Sequence, residues 1–86
     1  MEKVIFVGLD VHKATIAITT ADEGREGVVR FHGTIANTPT DVVKLTKRLS
    51  KGTASLMFCY EAGCCGYGIY RQLISLGHSC AVVAPH

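Results

Sequence analysis

The 86-residue sequence has few charged residues, no long apolar run and no closely spaced pair of the kind that binds zinc. Charged residues make up 19% of the chain and hydrophobic residues 48%, which excludes an intrinsically disordered protein. No window approaches about 18 uninterrupted apolar residues, so the sequence predicts no membrane partner and no spanning helix. Nine glycines and many β-branched residues exclude a coiled coil. These absences leave one small, strand-rich domain with a thin core.

The four cysteines do not form a metal-binding pattern. They are Cys59, Cys64, Cys65 and Cys80, and no two of them have C-x-x-C spacing. Zinc is therefore a weak hypothesis, even with His78 nearby. No secretory signal peptide opens the sequence, which disfavours a disulfide framework. The cysteines are better explained as free thiols of a cytoplasmic protein.

The charge balance is mildly basic. The net charge is +2 and the isoelectric point is near 8.4, which does not by itself indicate a nucleic-acid partner. Four cations fall in one stretch: Lys44, Lys47, Arg48 and Lys51. They fit a solvated helix face better than a ridge that contacts phosphates.

Hydrophobic periodicity predicts five strands and two helices. Alternating or continuous apolar runs predict strands over 4–9, 15–21, 28–35, 54–60 and 80–84. In the third strand, Val29, Phe31 and Ile35 are expected to share one face. Turn-forming residues over 22–27 separate the second and third strands. The order β-β-β-α-β-α-β predicts an antiparallel meander followed by helix-linked parallel strands, which is a mixed α/β sheet.

The two predicted helices have different signals. Thr38 and Pro39 suit a helix start, and Lys51-Gly52 is expected to end this first helix. The second is expected over 66–76 and to turn Tyr67, Tyr70, Leu73, Ile74 and Leu76 inward.

Two acidic residues stand where apolar strands end. Asp10 closes the first strand and Glu61 closes the fourth. If these strands are parallel neighbours, both carboxylates lie in the crevice at the carboxyl ends of the strands. Paired carboxylates suit Mg²⁺ or Mn²⁺, which can drive phosphodiester chemistry. The alternative is that each acid only marks a strand end that faces water.

Several neighbouring residues are weaker candidates. His12 and Lys13 could support the carboxylates or contact nucleic acid, or they could be solvated residues of a hairpin. The three tyrosines could stack on bases, but core packing explains Tyr60, Tyr67 and Tyr70 better. The glycine-rich stretch 62–68 lacks the Lys-Ser/Thr of a P-loop.

Three segments of the chain resemble the N-terminal domain of insertion sequence 110 family transposases, which include the pilin-gene invertases. They are VGLDVHKATIAI (Val7 to Ile18), FHGTIANTP (Phe31 to Pro39) and FCYEAGCCGYGIYRQLISLGHSCAVVAP (Phe58 to Pro85). The elements D-x-H-K and Y-E-A-G within them are specific in combination, and the resemblance covers almost the whole chain.

This resemblance implies a RuvC-like, ribonuclease-H-like catalytic domain. The family uses a D-E-D-D set of four carboxylates that binds Mg²⁺ for DNA cleavage and strand exchange. Asp10 matches the first acid and Glu61 the second, so we expect both to be catalytic and metal-binding. DNA and a structured RNA are the partners that the family implies, and uncovered apolar surface suggests a second copy of the protein as a further partner.

The third and fourth acids of the family lie on a later helix that has no counterpart in residues 1–86. We therefore expect this chain to be the N-terminal part of one such domain, truncated before its C-terminal helices. We expect it to be inactive alone and to bind metal weakly. The alternatives are a non-catalytic module that self-associates through uncovered apolar surface, and an actin-like ATPase fragment. The segment Val11-His12-Lys13 lacks the glycine-rich phosphate turn of such ATPases.

Overall fold

A computed structural model describes residues 3–22, 29–51, 55–63 and 66–84. Within them lie five strands and two helices in the predicted order. The elements are β1 (Val4–Val11), β2 (Thr15–Asp22), β3 (Val29–Ala36), α1 (Pro39–Leu49), β4 (Ser55–Glu61), α2 (Gly68–Ser75) and β5 (Ser79–Val83). No helix in these ranges is long and apolar enough to cross a membrane.

The strands form one mixed sheet in the order β3-β2-β1-β4-β5. The first three strands pair antiparallel, whereas β4 pairs parallel with β1 and with β5. The mixed α/β class is confirmed, and the arrangement is compatible with a ribonuclease-H-like sheet. It makes the first and fourth strands parallel neighbours, as the candidate site requires.

The hydrophobic core lies on one face of the sheet. Alternate residues of each central strand enter it, because successive side chains of a strand point to opposite faces. Phe58, Ile16 and Ile18 are fully buried there. Both helices pack on this face and add Val42, Leu45, Ile69 and Leu73 to the same cluster. We call this the helix face and the other side of the sheet the open face.

A β-bulge in β3 overturns the prediction that Val29, Phe31 and Ile35 share one face. Ile18 pairs with Gly33, but Thr19 pairs with Phe31, so one extra residue, His32, lies between the two pairs. An extra residue reverses the side-chain alternation. Ile35 packs against the core, whereas Val29 is 65% exposed and Phe31 68% exposed.

The bulge is held by a side-chain contact. A hydrogen bond of 2.7 Å joins the Thr20 hydroxyl and His32 Nε2. Gly33 beside it has a φ of 97°, a conformation that glycine adopts without steric cost. The buried Thr20 hydroxyl therefore has a partner, which a buried polar group requires.

Helix α1 begins as predicted. The Thr38 hydroxyl accepts a hydrogen bond of 3.1 Å from the Asp41 amide, and Pro39 is the first helical residue. The helix ends at Leu49 with Ser50 as its cap. The predicted stop at Gly52 and the turn after Asp22 lie outside the described residues.

Helix α2 is shorter than predicted and uses a different inner face. Ile69 and Leu73 are buried, whereas Ile74 is 44% exposed and Leu76 39% exposed. Tyr67 precedes the helix and is also exposed, so the prediction that it belongs to the core is wrong. The helix contacts the sheet chiefly over β5, at its edge, and so buries only a narrow stripe.

Candidate functional site

The parallel pairing of β1 and β4 brings Asp10 and Glu61 together on the open face. The ladder pairs Leu9 with Tyr60, and each acid is the next residue on its strand. Leu9 and Tyr60 are buried on the helix face. Because side chains alternate along a strand, both carboxylates point the other way. Both residues are exposed.

The two acids line one open cleft of about 420 Å³. Gly8 forms part of its floor, together with Cys59 of the neighbouring strand. A Cβ atom added at Gly8 would have only the Thr19 carbonyl oxygen nearby, at 3.8 Å, so a side chain here would project into open space. The missing side chain therefore keeps the approach to Asp10 and Glu61 wide.

An apolar hollow of about 300 Å³ continues the cleft along β1. Gly8, Thr19 and Cys59 line both spaces, and the far end is formed by Phe6, Val29 and Met57, among others. The open face thus changes from acidic at the carboxyl end of β1 to apolar near its start.

His12 contacts the first acid directly. Its Nε2 lies 3.2 Å from Asp10 Oδ2. The side chains are 62% and 73% exposed, so this pair contributes little to folding. The contact places the imidazole at the edge of the candidate site, beside the Asp10 carboxylate. The sequence prediction placed His12 beside Asp10, and the structure brings the two into contact.

Asn37 supports the hairpin that carries His12 and Lys13, a role that the sequence alone does not predict. The side-chain Nδ2 of Asn37 donates to the His12 carbonyl at 2.8 Å. The backbone amide of Asn37 donates to the Ala14 carbonyl at 3.0 Å. Lys13 itself is exposed at the tip. The only sequence signal was an asparagine just before a helix cap, which is common in turns.

The surroundings of Glu61 are fixed from two sides. The Ala62 amide donates to the Val83 carbonyl at 2.8 Å, which extends the pairing of β4 with β5 past the acid. On the helix face, the Tyr60 hydroxyl donates to the Gly66 carbonyl at 3.0 Å and accepts from the Tyr70 amide at 3.1 Å. Burial raises the pKa of the Tyr60 phenol, which keeps it a hydrogen-bond donor.

The two carboxylates supply the site with oxygen ligands. Among the residues that the structure describes, no three His, Cys, Asp or Glu side chains cluster in a way that could hold a metal ion. Mg²⁺, however, is commonly held by one or two carboxylates together with water and substrate phosphates. The exposed pair Asp10 and Glu61 fits that mode of binding.

The thiols lie on different faces. Cys59 is exposed in the cleft, whereas Cys80 is half-buried against the core. Burial raises the pKa of the Cys80 thiol to about 11. Cys64 and Cys65 lie outside the described residues. Cys59 and Cys80 thus offer no shared zinc site, because they point to opposite sides of the sheet.

Comparison with known proteins identifies the kind of protein that this chain resembles. It is 45% identical over 80 residues, 93% of its length, to y4qE of Sinorhizobium fredii, a protein named as a transposase. It is 35% identical over 85 residues, 99% of its length, to the transposase for insertion sequence element IS1533 of Leptospira borgpetersenii. The chain is similar to transposases. No protein-family model matches it.

The similarity to these transposases covers a small part of each. The chain spans 20% of the length of the Sinorhizobium protein and 24% of the Leptospira protein. The matched part nevertheless includes nearly all of the chain. The matched stretch therefore includes nearly all of the sheet.

Proposed function

We propose that this chain is part of the catalytic domain of a DNA transposase and supplies two carboxylates of its metal site. The observation that carries the proposal is the position of Asp10 and Glu61 at the carboxyl ends of two adjacent parallel strands, on the open face and in one cleft. Sites in open α/β sheets form at such a place. The similarity to two transposases supports a chemistry of one class: cleavage and rejoining of DNA phosphodiesters.

Asp10 and Glu61 would hold Mg²⁺ or Mn²⁺. A divalent cation bound there supplies positive charge to phosphate oxygens and lowers the pKa of a coordinated water. The carboxylates would orient the ion, and the open cleft would leave room for a DNA backbone beside them. His12 restrains Asp10, and Lys13 at the hairpin tip contributes a positive charge for a phosphate.

The finer assignment rests on the resemblance of the quoted segments. We propose membership of the insertion sequence 110 family, with a RuvC-like domain of the DEDD type. Two further acids would then come from outside residues 1–86, and this chain alone would not cleave DNA. A structured RNA and a second copy of the protein are further partners that this assignment proposes.

Metal binding is the most direct test. The electron paramagnetic resonance signal of free Mn²⁺ decreases as the ion binds, so titrating the chain measures its affinity. We expect weak binding that drops by at least about tenfold in Asp10→Asn and in Glu61→Gln. Asp22→Asn is the matched control, because Asp22 lies at the far end of β2 and pairs with Lys3. Equal affinity in all four proteins would contradict the metal site.

Cleavage tests the second part of the proposal. The 86-residue chain, incubated with supercoiled and branched DNA and Mg²⁺, is expected to leave the DNA intact. Robust cleavage that disappears in Asp10→Ala would show that two acids suffice, and the four-carboxylate assignment would then be wrong. DNA binding without cleavage, measured by fluorescence anisotropy, is compatible with the proposal.

A further inference from the structure

Helix α2 begins without the cap that a helix of its kind normally has. The residue before it, Tyr67, makes no side-chain hydrogen bond to the first turn. The first amides of a helix have no partners within it and need acceptors from elsewhere. The third helical residue, Tyr70, donates its amide to the Tyr60 hydroxyl of β4 at 3.1 Å. This is the amide that a serine or threonine cap usually satisfies, so the strand caps the helix.

The same hydroxyl also fixes the turn before the helix. It donates to the Gly66 carbonyl at 3.0 Å, and Gly66 has a φ of 62°, which favours glycine. Tyr60 is 3% exposed. One buried hydroxyl therefore joins the end of β4, the turn at Gly66 and the start of α2.

Glu61 is the next residue after Tyr60 and stands between two anchors. One is the Tyr60 hydroxyl, and the other is the hydrogen bond from the Ala62 amide to β5. We propose that Tyr60 is a positioning residue that keeps Glu61 beside Asp10, because its hydroxyl ties the end of β4 to Gly66 and to the start of α2. This inference rests on the proposed metal site, because it assigns the device that holds one of its two ligands.

The competing explanation is that Tyr60 only fills the core. Its ring belongs to the buried cluster, and phenylalanine would fill the same space without the hydroxyl. A filling role predicts that Tyr60→Phe leaves Glu61 unchanged. A positioning role predicts that the same substitution loosens Glu61 and leaves Asp10, on β1, as it was.

The test compares Tyr60→Phe with Tyr67→Phe by ¹⁵N NMR on the full 86-residue chain. Tyr67→Phe is the matched control, because it removes the same hydroxyl from an exposed ring. Unchanged amide chemical shifts in β1 and β2 verify that the sheet is intact. Two quantities are measured for Glu61, Ala62 and Gly63: the backbone order parameter, without metal, and the paramagnetic broadening produced by Mn²⁺.

In Tyr60→Phe we expect the Tyr70 amide to exchange about tenfold faster, since it loses its acceptor. The order parameters of residues 61–63 should fall from about 0.85 toward 0.6, and Mn²⁺ broadening should weaken around Glu61 while persisting around Asp10. Faster exchange at Tyr70 with unchanged order and broadening at Glu61 would overturn the inference and leave Tyr60 a structural residue.

The two proposals fail in different ways. If the unsubstituted chain shows no Mn²⁺ broadening at Asp10 or Glu61, the metal site is wrong, and the metal-free order parameters still decide whether Tyr60 holds Glu61. If the unsubstituted chain binds Mn²⁺ and Tyr67→Phe loosens Glu61 as much as Tyr60→Phe does, the metal site stands and the role of Tyr60 is wrong.

Discussion

The two faces of the sheet are built from the same strands but differ in their exposure to solvent and in the side chains they present. The helix face is closed: Phe58, Ile16 and Leu73 have no exposed surface. The open face presents Asp10 and Glu61 at one end and the exposed Phe6 and Phe31 elsewhere. Because strand side chains alternate, each central strand contributes to both.

The helix face provides most of the stability of the fold, whereas the open face carries the candidate catalytic residues. Removing water from apolar side chains is the main favourable contribution to folding, and the helix face carries most of that burial. The exposed acids of the open face contribute little to it. Substitutions on the two faces should therefore have different consequences even when the chemical change is the same.

The largest expected contrast is between two phenylalanines. Phe58→Ala on the helix face should lower the free energy of unfolding by about 3–5 kcal/mol, because it leaves a cavity in a small core. Phe31→Ala on the open face should change it by about 0.5 kcal/mol or less, since that ring is already in water. Urea denaturation followed by circular dichroism measures both. Similar losses would mean that the open face is covered in solution.

A smaller effect is expected at the bulge, where β3 changes from one face to the other. Gly33→Ala forces a Cβ into a backbone with a φ of 97° and should cost about 1–2 kcal/mol. Gly63→Ala is the control, because its added Cβ also meets open space and its φ is not in the positive region. Thermal unfolding of the two variants gives the difference, and equal stability would indicate that the bulge rearranges freely.

Removing the cap of α1 tests how much this helix contributes to the stability of the core on the helix face. Thr38→Ala removes the acceptor of the Asp41 amide and should cost about 1 kcal/mol. Thr40→Ala, within the first turn, should cost less, because it has no capping role. Guanidinium titrations compare them. A loss in Thr38→Ala no greater than that in Thr40→Ala would argue against the cap.

At neutral pH, the smallest effect on stability concerns the two thiols that the structure describes, Cys59 and Cys80. Burial holds the pKa of Cys80 at about 11, against an ordinary value of 9.0, so at pH 8 this thiol should react with iodoacetamide more slowly than the exposed Cys59. The stability that comes from keeping Cys80 protonated is present below pH 9 and is lost as the pH rises toward 11. Peptide mapping by mass spectrometry measures the labelling. Faster labelling of Cys80 would show that the helix face opens readily.

The sequence predicted the parts of the fold that depend on local patterns. Alternating or continuous apolar runs indicated the five strands of the described residues, and the cap at Thr38 has its predicted hydrogen bond. The sequence placed Asp10 and Glu61 at strand ends and predicted that they lie together if β1 and β4 are parallel neighbours, and the pairing of these two strands meets that condition. Their role as metal ligands stays a prediction.

What the sequence could not predict depends on contacts between distant residues. The bulge at His32 is visible only in the pairing of β3 with β2, so the exposure of Phe31 could not be read from alternation. Ile69 of helix α2 is buried and Ile74 is exposed. The position of α2 over β5 determines which side of the helix packs against the sheet. The support of His12 by Asn37 joins segments 25 residues apart.

Because of the extra residue at His32, the side chains of β3 alternate in one register before the bulge and in the opposite register after it. Before it, odd-numbered positions such as Phe31 belong to the exterior; after it, odd-numbered positions such as Ile35 belong to the interior. An alignment of related sequences or a redesign of this hairpin has to exchange the inward and outward positions of β3 at that residue. A strand drawn with one uninterrupted alternation would send Phe31 into the core and present the wrong side chains to whatever approaches the carboxylates.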